Sequence, residues 1–359
     1  MQEEARLIRD CIQKLVERRN LLYEEAQEAM KEIMSGQATD VQIATFLTAL
    51  RMKGETSDEI AALTTTLKTF CHRIHPTVRG RLVDTCGTGG GRIKTFNIST
   101  TAAFVVAGAG IAVAKHGNRS FTSKSGSADV LERLGFNLTV DPETVKQTIE
   151  DVGIGFMFAP IFHPAMKYAA ESRRAMGIRT VFNVLGPLSN PADADSQLLG
   201  VYTHELVTPL AHALRRLGCR EAMVVHGLDG LDEISTIGRT LLAWLRDDEI
   251  QTVEMMPRDF GLRRAQLAEL QGATPEENAE ITFRILTGRD YHDDPKRDIV
   301  LINAAAGIIV GGKADVFDEG LELARESINS GKAYTRLKML VKASKGDPSR
   351  LERLESIYG

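Results

Sequence analysis

The stretch from Asp84 to Gly135 constrains this chain more than any other. A short apolar run, Leu82-Val83, enters a turn holding Gly87, Gly89, Gly90 and Gly91, and the polar cluster Asn97-Ile98-Ser99-Thr100 then opens an Ala-rich apolar segment. Glycine reaches positive φ without steric cost and lets backbone N–H groups close on a ligand. A helix start adds unpaired N–H donors and positive potential. Strand, glycine turn and helix start in that order make an anion site, with phosphate as its usual occupant. The turn is neither a dinucleotide fingerprint nor a P-loop. Its glycines lack G-x-G-x-x-G spacing, no acidic residue follows at about twenty, and GK[ST] is missing.

Residues 1–79 have the spacing of helices. Ile8, Cys11, Ile12 and Leu15 share one helical face. Asn20 is expected to cap a second helix carrying Leu22, Ala26, Met30 and Ile33, stopped at Ser35-Gly36. Asp40 is expected to cap a third, with Ile43, Phe46, Leu47 and Leu50 inward, and Thr56 with Glu59 has capping-box spacing for a fourth. Beyond His75-Pro76 the pattern changes to short apolar runs alternating with helices. Strands are expected at 82–84, 112–115, 155–158, 221–226 and 240–245, and helices at 98–108, 126–134, 142–151, 204–217, 275–287, 298–309, 315–329 and 333–344. The expected fold class is α/β: a small N-terminal helical bundle over 1–79 and a larger domain over 80–359, whose mostly parallel sheet is surrounded by helices.

Charge and cysteine usage exclude several classes. The net charge of -4 and pI near 6.1 argue against a general nucleic-acid binder. Cys11, Cys71, Cys86 and Cys219 form no C-x-x-C pair and read as reduced thiols of a cytoplasmic protein. The acidic start MQEEARLIRD lacks the apolar core of a signal peptide. The longest apolar run, 102–114, is broken by Gly108 and Gly110 and falls short of the ~20 residues of a membrane span.

Three further stretches carry candidate chemistry. Lys115-His116-Gly117-Asn118-Arg119 follows an apolar strand, and strand C-termini are where α/β sheets place ligands. Lys115 and Arg119 can offset phosphate charge and Asn118 can orient a substrate, whereas His116 taken alone reads as structural. Ser123, Ser125, Gly126 and Ser127 supply a second hydroxyl-rich helix start, so the ligand is expected to be phosphorylated at both ends. Asp229, Asp232 and Glu233 follow the strand ending at His226. Alone they would be a solvated acidic loop; beside a phosphate site they suit magnesium, which uses one or two carboxylates and keeps several waters. Finally, the run from Ala159 to Lys167 precedes Arg173 and Arg179. Either arginine could pair with the carboxylate of an aromatic acid, and spacing leaves that choice open.

Together, DTCGTGG, TFNIST, VAKHGNR, SGSADVLERLG, FAPIFHPAMK, GIRTVFNVLGPLSNP and VHGLDGLDE, with QIATFLTALRMKGET in the helical part, are in family order over nearly the whole chain. The sequence resembles the anthranilate phosphoribosyltransferases of tryptophan biosynthesis. The resemblance implies transfer of the phosphoribosyl group of 5-phosphoribosyl 1-diphosphate (PRPP) to the amine of anthranilate, releasing diphosphate. It implies a homodimer formed through the helical domain, joined by helices from about 163–190. It places Gly87, Gly90, Gly91, Thr95, Asn97, Ile98, Ser99, Thr100, Lys115, His116, Gly117, Asn118, Arg119, Ser123 and Ser127 around PRPP. Gly87, Asn118, His163 and Arg173 fall to anthranilate, which resolves the arginine choice, and Ser99, Asp232 and Glu233 fall to Mg2+. No general base is implied, and neither nucleic acid nor membrane is an expected partner. Two departures stand out. Gly91 occupies a position where the family usually has aspartate, and Glu171-Ser172 precede Arg173 where Pro-Val is common. A pyrimidine nucleoside phosphorylase would share the architecture, but its lysine- and serine-bearing signature before the paired glycines is absent.

Overall fold

The computed structural model describes residues 7–91, 93–120, 125–289 and 294–358. Four helices open the chain: α1 (Leu7–Val16), α2 (Tyr23–Met34), α3 (Asp40–Lys53) and α4 (Ser57–Thr69). The Thr56/Glu59 capping box forms as expected, and Glu59 also accepts from the Leu21 N–H at 2.9 Å and from Lys53 Nζ at 2.8 Å. Two expected caps are corrected. Thr39 caps α3, with Asp40 as its first helical residue, because the Thr39 hydroxyl accepts from the Gln42 N–H. Asn20 does not cap α2; its side-chain oxygen accepts instead from Lys53 Nζ, and α2 begins after Leu22.

Among the remaining described residues one seven-stranded sheet forms, in the order β3-β2-β1-β4-β5-β6-β7. The strands are β1 (Leu82–Gly87), β2 (Ala112–Gly117), β3 (Ile154–Phe158), β4 (Ser196–Gly200), β5 (Glu221–Gly227), β6 (Thr240–Arg246) and β7 (Glu249–Met255). β1 to β5 pair in parallel, β6 runs antiparallel to β5, and β7 runs antiparallel to β6. Their crossovers are helical. α5 (Ile98–Gly108) joins β1 to β2; α6 (Ser127–Arg133) and α7 (Pro142–Val152) join β2 to β3. α8 (Ala159–Phe162), α9 (Lys167–Met176) and α10 (Phe182–Leu188) lead to β4, and α11 (Val207–Arg216) to β5. α12 (Pro275–Thr287), α13 (Pro295–Val310), α14 (Phe317–Asn329), α15 (Lys332–Ala343) and α16 (Ser349–Tyr358) complete the chain.

The sheet separates two cores, as alternation of side chains along a strand requires. Leu198, Met223, Val225 and Leu242 face α5 and α13, whereas Leu199, Val224, Ala243 and Leu245 face α11 and the helical bundle. Ala165, Ala169, Phe182 and Leu185, on the segment from 164 to 188, join the bundle's core. β4 and β7 escape a reading by apolar runs for different reasons. β4 is short and begins Ser196-Gln197, although both side chains are buried; β7 is an exposed edge rich in charge and polar groups. α8 and α16 are additions to the expected helices, while α9 and α10 lie within the 163–190 stretch where the resemblance implies helices; α9 buries only Ala169 and Ser172, and α10 contains Gly186 and Pro187.

The chain runs outward from β1 through β2 to β3, then crosses back to place β4 on the other side of β1. The carboxyl ends of β1 and β4 therefore flank a topological switch point, the usual ligand crevice of such sheets.

Candidate active site at the switch point of the sheet

Gly87 and Gly200 are register partners at the carboxyl ends of β1 and β4. A Cβ on Gly200 would lie 1.7 Å from the Asp232 carbonyl oxygen, so only glycine lets the loop after β5 cross here. That crossing lays Asp232 over the glycine turn. Its Oδ2 lies 3.2 Å from where a Gly87 Cβ would stand, and its Oδ1 lies 2.8 Å from the equivalent point on Gly91. The turn is tied down at Thr88, whose N–H donates to the Gly200 carbonyl at 2.9 Å and whose hydroxyl accepts from the Tyr202 N–H at 3.1 Å. Gly89 and Gly90 then run at φ of 66° and 79°, which side-chain-bearing residues rarely adopt.

Beyond the turn, Thr95 bridges to Gln271 and Asn97 stands at the start of α5. Asn97 makes no cap bond; its Oδ1 accepts from Asn278 Nδ2 at 3.0 Å and from Ser125 Oγ at 3.2 Å. The α5 start thus reaches the approach to α6, joining the two hydroxyl-rich helix starts. The Ser99 N–H donates to Glu233 Oε1 at 3.2 Å. Ile98 is buried in the core, and the buried Thr100 hydroxyl has no hydrogen-bond partner among the described residues. Burial and the neighbouring Asp232 push the Glu233 carboxyl up to about 8, and burial also raises Asp232. Two like charges withdrawn from water favour protonation or a cation between them. With the Ser99 hydroxyl they form a hard-oxygen donor set, which is the chemistry that fits magnesium. Among the described residues no group of three or more His, Cys, Asp or Glu could hold a metal, so the protein's share of such a shell is small.

β2 carries the second group of candidates. Lys115 is buried and its Nζ donates to the Thr85 carbonyl at 2.6 Å; burial lowers its pKa while Asp84 opposes the shift. Asp84, fully buried and pushed up to about 6 by desolvation, accepts from Asn190 Nδ2 at 2.8 Å and from the His116 N–H at 3.4 Å. His116 donates from Nδ1 to the Gly186 carbonyl at 3.2 Å, and its buried Nε2 has no hydrogen-bond partner among the described residues. Its ring centroid is 4.9 Å from that of His163. Burial, with His163 adding a smaller effect, pushes His116 down to about 3, and burial pushes His163 down to about 4, which the Ser189 backbone partly offsets. Both imidazoles are neutral at physiological pH. Gly117 ends β2 with Ser127 Oγ only 2.2 Å from where its Cβ would stand, while Asn118 is exposed and its Oδ1 accepts from the Arg119 N–H.

Arg119 is engaged by acidic side chains. Its guanidinium pairs with Asp129 and Glu132 at 2.9 Å each and stacks toward Phe158, so its charge is already answered within the protein. Ser123 lies outside the described residues. The two arginines of the α9–α10 segment separate clearly. Arg173 lies 5.1 Å over the Phe182 ring, desolvated enough to lower its pKa, with no acidic partner among the described residues. Arg179 Nη2 donates to the Gly90 carbonyl at 2.6 Å.

Against this geometry, residues 79–334 match the family described as glycosyl transferase family, a/b domain, and residues 9–71 match its helical bundle domain. The anthranilate phosphoribosyltransferase of Methanocorpusculum labreanum is 50% identical over 340 residues, covering 95% of this chain and 99% of that one. The chain belongs to the anthranilate phosphoribosyltransferase family. The crystal structure of the Thermus thermophilus anthranilate phosphoribosyltransferase superposes with a TM-score of 0.89 at 42% identity, covering 94% of this chain and 99% of that one. The Saccharomyces cerevisiae anthranilate phosphoribosyltransferase in complex with PRPP and Mg gives 0.85 at 30% identity, covering 94% and 98%.

Membership in the anthranilate phosphoribosyltransferases makes the chain a pentosyltransferase. The geometry adds residues to which the sequence assigned no role. Asp84 and Asn190, inside the quoted motifs, and Gly200 and Tyr202, outside them, build the site from beneath. Gly200 and Tyr202 could have been suspected only once β4 was recognised, because their role follows from its pairing with β1.

Proposed function

We propose that the chain transfers the 5-phosphoribosyl group of PRPP to the amine of anthranilate, giving N-(5-phosphoribosyl)anthranilate and diphosphate, with Mg2+ as its metal. The observation that carries this reading is the Glu233 carboxylate on the Ser99 N–H. Carboxylates at an anion-binding helix start make sense when a divalent cation joins them to phosphate oxygens. Asp232, Glu233 and the Ser99 hydroxyl would hold magnesium, which when bound stabilises negative charge on the departing diphosphate.

The protein's own groups would do the rest. Backbone N–H groups of the glycine turn and the α5 start orient PRPP, with Thr95, Asn97, Thr100, Lys115 and Ser127 around it. Loss of diphosphate builds oxocarbenium character at C1, and preorganised donors aimed at the leaving group lower that barrier. Arg173 takes the anthranilate carboxylate, and Asn118 and His163 border its ring and amine, so attack becomes effectively intramolecular. A charged imidazole would repel the developing cation; the neutral pair His116 and His163 avoids this. The aryl amine loses its proton after C–N bond formation, to water or diphosphate, and no general base is required.

The same reading includes a homodimer formed through the helical bundle. Val16, Val41 and Met52 on α1 and α3 are 63%, 76% and 69% exposed. A cavity of about 540 Å³ lined by Leu15, Val16, Ala44 and Met52 lies on that surface. Light scattering on the eluting protein tests the dimer. Among the described residues no helix is long and apolar enough to cross a membrane. The central test is loss of anthranilate fluorescence with PRPP and magnesium, other aromatic amines serving as controls. No PRPP-dependent consumption of anthranilate would refute the assignment.

A further inference from the structure

The glycine turn is gripped at two points from one side. Arg179 Nη2 donates to the Gly90 carbonyl at 2.6 Å, and the guanidinium lies 4.5 Å over the Tyr202 ring. Tyr202 in turn donates its backbone N–H to Thr88 Oγ1 at 3.1 Å. The Arg179–Tyr202 pair therefore brackets Thr88-Gly89-Gly90. A Cβ on Gly90 would lie 3.1 Å from Arg179 Nη2, so the absence of a side chain there lets the guanidinium approach.

We propose that Arg179 is a positioning residue for PRPP, holding the phosphate-binding turn in its ligand-ready conformation through the Gly90 carbonyl. This inference rests on the phosphoribosyl-transfer reading above. The physical reason is the cost of ordering glycines. Consecutive left-handed glycines lose more conformational freedom on becoming ordered than other residues do. A charge-assisted hydrogen bond to one carbonyl selects one orientation of that peptide. Because the peptide is planar and trans, fixing the Gly90 carbonyl also fixes the Gly91 N–H on the opposite edge. Arg179 supplies the hold from outside the turn, from the segment just past α9, which ends at Gly177 in the left-handed conformation. That same helix carries Arg173. One short segment thus addresses both substrates, Arg173 toward the carboxylate of the acceptor and Arg179 toward the loop that binds the donor.

The test compares wild type, Arg179→Ala and Arg179→Lys in the magnesium-containing assay, with both substrates titrated and Tm measured. In Arg179→Ala the PRPP KM should rise about tenfold, the worth of one charge-assisted hydrogen bond, with the anthranilate KM within about twofold. Arg179→Lys should recover part of the loss, since an ammonium still donates to the carbonyl. Should the alanine variant fail to fold, the same split is read from the lysine variant and from Tyr202→Leu, each expected to raise the PRPP KM selectively. An unmoved PRPP KM, or an anthranilate KM that rises as much, overturns the proposal. Inactive wild type would refute phosphoribosyl transfer itself and this inference with it; active wild type with an unmoved variant refutes only the role of Arg179.

Discussion

Glu233 Oε1 accepts the Ser99 N–H at 3.2 Å, so a carboxylate occupies the helix start toward which the glycine turn directs its anion. This contact joins elements 134 residues apart and turns two ordinary motifs into one site. A helix N-terminus favours the negative charge, yet burial and Asp232 hold the Glu233 carboxyl up at about 8. The opposition is what a metal would relieve.

Replacing Glu233 by Gln keeps an oxygen for the Ser99 N–H and removes the charge. We expect kcat/KM to fall at least about tenfold at low magnesium and to recover in part as magnesium is raised. Tm should not fall, because a carboxyl that burial and Asp232 already push toward its neutral form is replaced by a neutral amide. A magnesium titration of activity with a thermal melt checks both; an unaltered magnesium profile would sink the metal assignment.

Arg173 is a desolvated cation with no acidic partner among the described residues, which suits a site waiting for a carboxylate. Arg173→Ala should raise the anthranilate KM about tenfold or more and leave the PRPP KM within about twofold. Steady-state kinetics with each substrate varied decides it, and equal effects on the two constants would count against the role.

Gly91 stands beneath Asp232. A Cβ at this position would lie only 2.8 Å from Asp232 Oδ1 and 3.3 Å from the Gly230 carbonyl oxygen. Gly91→Asp therefore forces the Asp232 side chain to turn and brings a third carboxylate to the pair. We expect a loss of about 1–3 kcal/mol in stability without metal, and a steeper dependence of PRPP binding on magnesium than in wild type. Melts with and without magnesium and PRPP, together with calorimetric PRPP titrations, measure these. An unchanged magnesium dependence would show that Gly91 has not retuned the site.

His116 and His163 are held down to about 3 and about 4 by burial. In the unfolded chain both take up protons below about 6.5, whereas the folded protein does not, so their contribution to stability is present above that pH and is lost as pH falls toward 4. The slope is about 1.4 kcal/mol per histidine per pH unit. Asp84 and Glu233, raised by burial, act in the opposite sense over their own ranges. His163→Gln should flatten the fall in unfolding free energy between about pH 6 and 4.5, followed by denaturant titrations at each pH. An identical slope in wild type and variant would mean His163 is not the buried neutral group described.

Much of this was legible in the residues. α5 and α12 begin and end where the spacing predicts, because the apolar run of α5 and the Thr274 cap of α12 are local signals. The parts that were not legible depend on neighbours. Asn20 looks like a helix cap until Lys53 claims its oxygen, and no local pattern shows that Arg119 pairs with Asp129 and Glu132. β4 carries two polar side chains that read as loop but are buried in the sheet.

What the sequence determined by itself is the inventory: a glycine turn before a helix start, a second hydroxyl-rich start, and a carboxylate pair after an apolar strand. Those signals rest on backbone conformation and local hydrogen bonding, which neighbouring residues dictate. Tertiary structure alone decided how the inventory meets. The sheet order puts β4 beside β1, the missing side chain at Gly200 lets the Asp232 loop cross, and that crossing sets Asp232 over Gly91 and brings Glu233 to Ser99. Close approach between distant segments depends on what is absent as much as on what is present, and a linear reading does not reveal which absence will be used.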